Sequence, residues 1–293
     1  MSQIALELKI HKSTVSRELK RNSVNAQYSP QIAQNAGDKR RSKASSRPKA
    51  LKENVLKLVK EKLHLQWSPE QISGWLKTRG IRVSFAALYR YIRQDRNKGG
   101  GMHLNLRHRG KPYKNKPKGG AGVRHIPNRT GIDKRPESVE NKDLIGDWEG
   151  DLIVGKGHKG FLLTYVDRCS KLIKIARLSL KEAQQVVKAT KELFGKMKRK
   201  VRTITFDNGG EFAHHEKITE ALGADIYFAN PYSSWERGLN EHSNGLIRQY
   251  FPKGQDFTKV SKAQVQKVEN LLNNRPRKVL GYKTPAEVFA AAS

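Results

Sequence analysis

Three short apolar runs follow one another with only Gly or Ser turns between them: WEGDLIVG at 148–155, GFLLTYVDRCS at 160–170 and KLIKIARLS at 171–179. Each has the β-branched and aromatic content of a strand. The turns are too short for a crossover helix, so the three runs must pair as an antiparallel meander. Residues 181–197 (KEAQQVVKATKELFGKM) then show helical spacing, and VRTITFD at 201–207 is a fourth strand, which the helix allows to return in parallel. A helix near 211–222, a strand ADIYFA and a helix near 235–250 follow, and a further helix is expected near 261–273.

This order gives a mixed five-stranded sheet with helices, an α/β domain of the ribonuclease-H-like type. A fold alone does not assign chemistry; the acids on this scaffold do. Asp207 ends the fourth strand and is followed by Asn208-Gly209-Gly210, a sharp exit that exposes its carboxylate. The first strand is its neighbour in this topology and carries Asp147, Glu149 and Asp151 on one face, so alternation alone does not choose among them. Two carboxylates held close repel and call for a cation. Oxygen-only ligands suit Mg²⁺ or Mn²⁺ rather than zinc.

A third acid comes from PYSSWERGLNEHSNGLIRQYF. Read as a helix, Arg237, Glu241, Asn244 and Arg248 share one polar face, while Leu239, Ser243, Leu246 and Tyr250 form a stripe that can pack on the sheet. That face would deliver one acid and two guanidinium groups together, the acid for a metal site and the arginines for DNA phosphates. The plainer alternative is a surface pair of Arg237 with Glu241. Asp167 reads as a turn residue before Arg168, Glu211 and Glu236 as lesser candidates, and His214 and His215 as exposed histidines at a helix start.

The front of the chain differs in charge. Residues 1–132 hold 30 Lys and Arg against 7 Asp and Glu, whereas residues 133–293 hold 28 against 20. The net charge of +31 points to a polyanion, nucleic acid before an anionic membrane. A single cysteine, Cys169, excludes a disulfide framework within the chain. No apolar run is long enough to span a bilayer, and no signal peptide opens the chain. The expectation is a bacterial cytoplasmic, nucleoid-associated protein with no membrane partner.

Within that front, residues 1–23 read as a helix-turn-helix. Ile4, Leu8, Val15 and Leu19 have core spacing, Ser13 is the expected N-cap of the second helix, and Thr14, Arg17, Lys20 and Arg21 are offered to DNA along with Ser13. Such modules have a helix ahead of this pair. The chain opens directly on the pair, so a module shortened at its start is expected. Residues 24–50 read as a basic linker. Residues 51–96 form a second helical DNA-binding module, with Ser68, Pro69 and Gln71 as a capping box, Ser84 opening a third helix, and Arg90 and Arg93 displayed on it. Residues 97–135 are a Gly- and Pro-rich basic linker, with nine Lys and Arg and no acid through residue 132. Residues 136–293 form the α/β core.

The strings WEGDLIVG, TFDNGGEF and YSSWERGLNEHSNGLIRQYFPKG resemble the three catalytic blocks of DDE transposases of the insertion-sequence-30 family, which have a retroviral-integrase-like core. STVSRELKRN resembles that family's amino-terminal helix-turn-helix, and WSPEQISGWL, SFAALYRYI and the terminal NNRPRKVLGYKTPAEVF also match, so the likeness covers nearly the whole chain. The resemblance implies that Asp151, chosen now over Asp147 and Glu149, joins Asp207 and Glu241 as the metal-binding catalytic acids. Asp207 and Glu241 have 33 residues between them. It implies two Mg²⁺ (or Mn²⁺) ions, with Asp207 shared, and support from Asn208 and Asn244. It implies cleavage at terminal inverted repeats and strand transfer into target DNA by a homodimer or higher oligomer. The rivals are a catalytically silent DNA-binding regulator, a truncated transposase remnant, or a plain ribonuclease H.

Overall fold

A computed structural model describes residues 1–45, 51–109, 126–231 and 233–292. The chain divides into two compact units, Met1–Leu56 and Lys57–Ser293.

The first unit holds α1 (Ser2–Glu7), α2 (Lys12–Asn22) and α3 (Pro30–Ser45). The hairpin of α1 and α2 is as expected, but its cap is not. His11, not Ser13, is the N-cap of α2, its ring nitrogen accepting from the Ser13 amide at 3.2 Å. Ser13 lies inside the first turn, where its hydroxyl and carbonyl accept from Arg17. Val15 is buried and Leu19 half-buried as expected, whereas in α1 Ala5 is buried and Ile4 and Leu8 are exposed, so the core contact of the first helix differs from the expected spacing. Residues 24–50 are not simply a linker, because α3 occupies most of them. It buries Ala33, and Arg40 donates to Asn22 at the end of α2. Sequence spacing missed α3 because its apolar content is slight (PQIAQNAGDKRRSKAS).

The second unit begins with three helices: α4 (Glu53–His64, entering from the preceding residues), α5 (Pro69–Lys77) and α6 (Phe85–Asn97). Val59, Leu63, Ile72, Leu76, Leu88 and Ile92 close a small core, and the Ser68–Gln71 capping box and the Ser84 cap form as expected. These helices dock on the rest of the unit. Gly74 of α5 lies so close to the Tyr282 ring that a Cβ would come within 2.2 Å of it. Lys278 pairs with Glu70 at 2.9 Å.

The core follows as α7 (Glu137–Asn141), β1 (Asp147–Val154), β2 (Phe161–Asp167), β3 (Ile173–Leu178), α8 (Ala183–Phe194), β4 (Thr203–Phe206), α9 (His215–Leu222), β5 (Asp225–Phe228), α10 (Gly238–Tyr250), α11 (Lys262–Asn273) and α12 (Pro285–Ala291). The five strands lie in the order β3-β2-β1-β4-β5; β1, β2 and β3 are antiparallel, and β4 and β5 are parallel additions. This is the ribonuclease-H-like topology the turn lengths dictated.

Alternation along β1 splits two cores. Trp148, Leu152 and Val154 face α8 and α9 with Tyr165, Phe194, Phe206, Phe212 and Phe228. Ile153 faces α10 and α11 with Leu162, Val166, Leu246, Ile247, Val265 and Leu272. The odd positions of β1 therefore look toward α10, which sets up the site. Of the expected α10 stripe, Ser243 and Leu246 are buried and Leu239 and Tyr250 half-buried.

The segment 97–135 is also more than a linker. Residues 110–125 of it lie outside the described residues. Residues 126–134 are built onto the open edge of β5, where Phe228 donates its amide to Thr130 and Gly131 bridges Phe228. Edge groups left unpaired by the sheet are satisfied this way. His215, expected to be exposed, is buried: its Nε2 bonds the Pro127 carbonyl at 3.1 Å and its ring packs edge-on against Phe228. His214 is exposed. Among the described residues no helix is long and apolar enough to cross a membrane.

Candidate active site

Gly150 lets β1 approach β4 at the site. A Cβ there would come within 2.3 Å of Phe206 and 3.0 Å of Tyr165. The next residue, Asp151, points toward α10. Asn244 donates to its carboxylate while taking a hydrogen bond from Thr164 at 3.2 Å, so the acid is fixed by two elements, β2 and α10. Burial pushes the Asp151 carboxyl above the ordinary range. The nearby Asp207 charge pushes the same way, while Arg237 opposes both.

Asp207 stands just beyond β4, with its Oδ1 accepting from the Gly209 amide at 3.0 Å. Its exit loop is braced by Asn208, which donates to the Ala229 carbonyl at 2.7 Å and accepts from Arg129. The two acids share one guanidinium. Arg237 sits 3.3 Å from Asp207 Oδ2 and 3.7 Å from Asp151 Oδ1, and donates to the Gly150 carbonyl at 3.0 Å. A cation thus already bridges the pair that repulsion requires to be bridged. Their all-oxygen character suits a hard divalent ion in the same place.

Glu241 is exposed on α10. Among the described residues no three acids, histidines or cysteines stand together as a metal cluster, so the structure brings together Asp151 and Asp207 but not the third acid. Arg248, expected to reach DNA, donates to the Val154 carbonyl at 2.8 Å and lies over Phe257. In this structure both Arg237 and Arg248 are thus engaged by protein. Thr14, Arg17, Lys20 and Arg21 are exposed on α2, and Arg90 and Arg93 on α6.

The competing acids have structural partners. Asp147 is fully buried and accepts from Thr203 at 2.9 Å. Glu149 is buried against Arg168 at 2.9 Å and accepts from the Asn240 amide, and burial raises its carboxyl despite that partner. Asp167 builds the turn after β2, taking hydrogen bonds from Ser170 and from the Gly146 amide. Glu211 is buried with Lys181 at 3.1 Å, its other oxygen without a partner. Glu236 accepts from Asn230, which tethers the loop that leads into α10.

Sequence reasoning missed Asn240, which is buried and donates to the Gly150 carbonyl at 3.2 Å, stitching α10 to β1. Its position one residue before Glu241, at i−4 from Asn244, was the available signal. The buried Arg168 pairing with Glu140 and Glu149 had no local signal, because its partners are 28 and 19 residues away in sequence.

Residues 145–234 match the family model described as "Integrase core domain". The chain is 46% identical over 292 residues to the "Transposase for insertion sequence element IS4351" of Bacteroides fragilis, covering 98% of this chain and 88% of that one. It is 37% identical to the "Transposase InsI for insertion sequence element IS30A" of Escherichia coli (strain K12), covering 98% of this chain and 77% of that one. Among solved structures it is similar to the catalytic core domain of BIV integrase, with 21% identity and a TM-score of 0.42 over 50% of this chain and 95% of that one.

Proposed function

The chain belongs to the insertion-sequence-30 family of DDE transposases, and from that premise we propose that Asp151, Asp207 and Glu241 are its catalytic, metal-holding carboxylates. The protein is a polynucleotidyl transferase of DNA transposition, acts on DNA and uses a divalent metal. The finer reading is two Mg²⁺ (or Mn²⁺) ions held by the three acids with Asp207 shared, and terminal inverted repeats as the DNA recognised. The DNA-binding surfaces would be α2, through Ser13, Thr14, Arg17, Lys20 and Arg21, and α6, through Arg90 and Arg93. Handling two DNA ends together calls for a homodimer or higher oligomer. Residues 1–23 and 51–96 serve as the DNA-binding modules ahead of the catalytic core at 136–293.

One observation carries the reading: carboxylates from neighbouring strands β1 and β4 converge on a single cation, the Arg237 guanidinium. A divalent cation held there supplies Lewis-acid activation of the phosphodiester and of the attacking hydroxyl. The chain's own residues do the rest. Asn244 aims Asp151, Asn208 holds the loop after Asp207, and Asn240 locks α10 to β1. Arg237 and Arg248, once released from their protein acceptors, are placed to take phosphate oxygens in bidentate fashion. In cleavage, water forms a P–O bond as the 3′ oxygen of the transposon end leaves. In joining, that 3′ hydroxyl attacks target DNA and another 3′ oxygen leaves. No bond to the protein forms.

Strand cleavage and joining on terminal-repeat DNA in Mg²⁺ tests this. Asp207→Asn should lose joining and keep DNA binding. Equal activity in wild type and variant would remove the catalytic assignment. Binding without activity in either would favour a DNA-binding regulator.

A further inference from the structure

The terminal string NNRPRKVLGYKTP holds two buried cations that the reaction does not use. Arg275 and Arg277 are 3% and 7% exposed. A buried guanidinium ordinarily sits on a carboxylate. Arg135 and Arg168, equally buried, do so, on Glu140 and on Glu140 with Glu149. Among the described residues Arg275 and Arg277 have no such partner. Arg275 donates to Gln249 Oε1 at 3.1 Å and Tyr250 Oη at 2.8 Å, and Arg277 to the Leu272 carbonyl at 3.1 Å, all uncharged acceptors. The Nε of each is buried with no acceptor.

More positive charge gathers around them. Arg107 lies against α10 at Gly245, where a Cβ would come within 2.5 Å of its Nη2, so the glycine is what lets the guanidinium seat there. His242, one turn earlier on the same face, feels both Arg107 and Arg277. Burial first, and Arg275 second, push Arg277 down to about 10. Arg277 and His242 line a cavity of about 680 Å³, whose wall carries Lys142 and Lys171 and also the carboxylates Asp133, Glu140, Glu149 and Glu236. Glu140 and Glu149 are already paired with Arg135 and Arg168. Gly238, His242 and Gly245 follow one another at i, i+4 and i+7, a different face of α10 from Arg237, Glu241, Asn244 and Arg248.

We propose that Arg107, His242, Arg275 and Arg277 form a second phosphate site, which takes a backbone phosphodiester of DNA on the flank of α10 away from Asp151 and Asp207. The site supplies what the cluster lacks, a desolvated anion whose oxygens match the guanidinium fork. The assignment to DNA rests on the reading of the chain as a DNA-joining enzyme. The phosphate chemistry does not.

The test uses the full chain without metal. Thermal stability is followed as inorganic phosphate replaces chloride at constant ionic strength, and duplex binding is followed against salt. Wild type should gain stability with phosphate, as any ligand of the folded state requires. Arg277→Met should lose that gain, and its log-log salt slope for duplex binding should fall by about one. Without phosphate it should be at least as stable as wild type, since an unpaired buried charge has been removed. If Arg277→Met fails to fold, Arg107→Gln and His242→Gln, at exposed positions, carry the same test. An equal phosphate response in wild type and variants overturns the site. A lost phosphate response with an unchanged salt slope overturns its assignment to DNA. Asp207→Asn should keep the full phosphate response, so failure of the catalytic reading and failure of this one give different results.

Discussion

Replacing Arg237 with methionine should tighten divalent-metal binding to the DNA-free protein. The guanidinium occupies the place between Asp151 and Asp207 that a metal ion would need, with contacts of 3.7 Å and 3.3 Å. A hydrogen bond to a charged group contributes about 1.5–3 kcal/mol. These contacts are long and Asp207 is 40% exposed, so screening reduces the figure to about 1–2 kcal/mol. At about 1.4 kcal/mol per factor of ten, metal affinity should rise roughly five- to thirty-fold. Methionine keeps the apolar stem and removes the charge. The assay is calorimetric titration with Mn²⁺ at one fixed pH, with Arg237→Lys as a charge-retaining control. An unchanged affinity would mean the guanidinium does not stand where the metal binds. A lower affinity would mean that Arg237 holds the carboxylates in place for it.

Three further outcomes follow from the same geometry. Gly150→Ala should cost about 1–3 kcal/mol of stability by overpacking against Phe206 and Tyr165, and a urea midpoint equal to wild type would contradict that contact. Asn244→Ala should slow joining by about ten- to a hundred-fold, as loss of a group that orients a metal ligand does, with little change in melting temperature; a large fall in melting temperature would make Asn244 a folding residue instead. Burial raises the Asp167 carboxyl, so the folded state holds its proton at a pH where the unfolded chain has lost it. Its ionisation therefore opposes folding at neutral pH, and the opposition lifts as pH falls through the raised value toward the ordinary one. The stability of wild type relative to Asp167→Asn should accordingly rise from about pH 7 toward about pH 4, and a fall over that window would reverse the sign of the shift.

The sheet was legible because turn length and strand alternation are local and physically strict. A connection of five or six residues cannot hold a crossover, and a helix before 201–207 permits a parallel return. The caps at Ser68 and Ser84 were legible for the same reason. Helix α3 was not, because a polar helix with one buried alanine has little periodicity to read. The shift of the α2 cap to His11 was hidden because serine has the stronger preference and a ring nitrogen can do the same work. At the site, alternation put Asp147, Glu149 and Asp151 on one face but could not say which stood free. That depended on distant partners, Thr203 for Asp147 and Arg168 for Glu149. The helical face of α10 grouped Asn244 with Arg237, Glu241 and Arg248, and the structure sets Asn244 against Asp151. That face did not reveal that Arg237, expected to grip DNA phosphate or to pair with Glu241, sits between Asp151 and Asp207, because those acids come from β1 and from the end of β4, far away in sequence.

Strand joining by Glu241→Gln, measured on terminal-repeat DNA in Mg²⁺ beside Asp151→Asn and Asp207→Asn, bears most directly on the three-carboxylate site. Glu241 is the acid that stands apart from the other two in the structure. All three variants should lose joining and retain duplex binding. Joining by Glu241→Gln at the wild-type rate, with the two aspartate variants inactive, would contradict the account and direct attention to Glu211, the buried carboxylate beside Gly209.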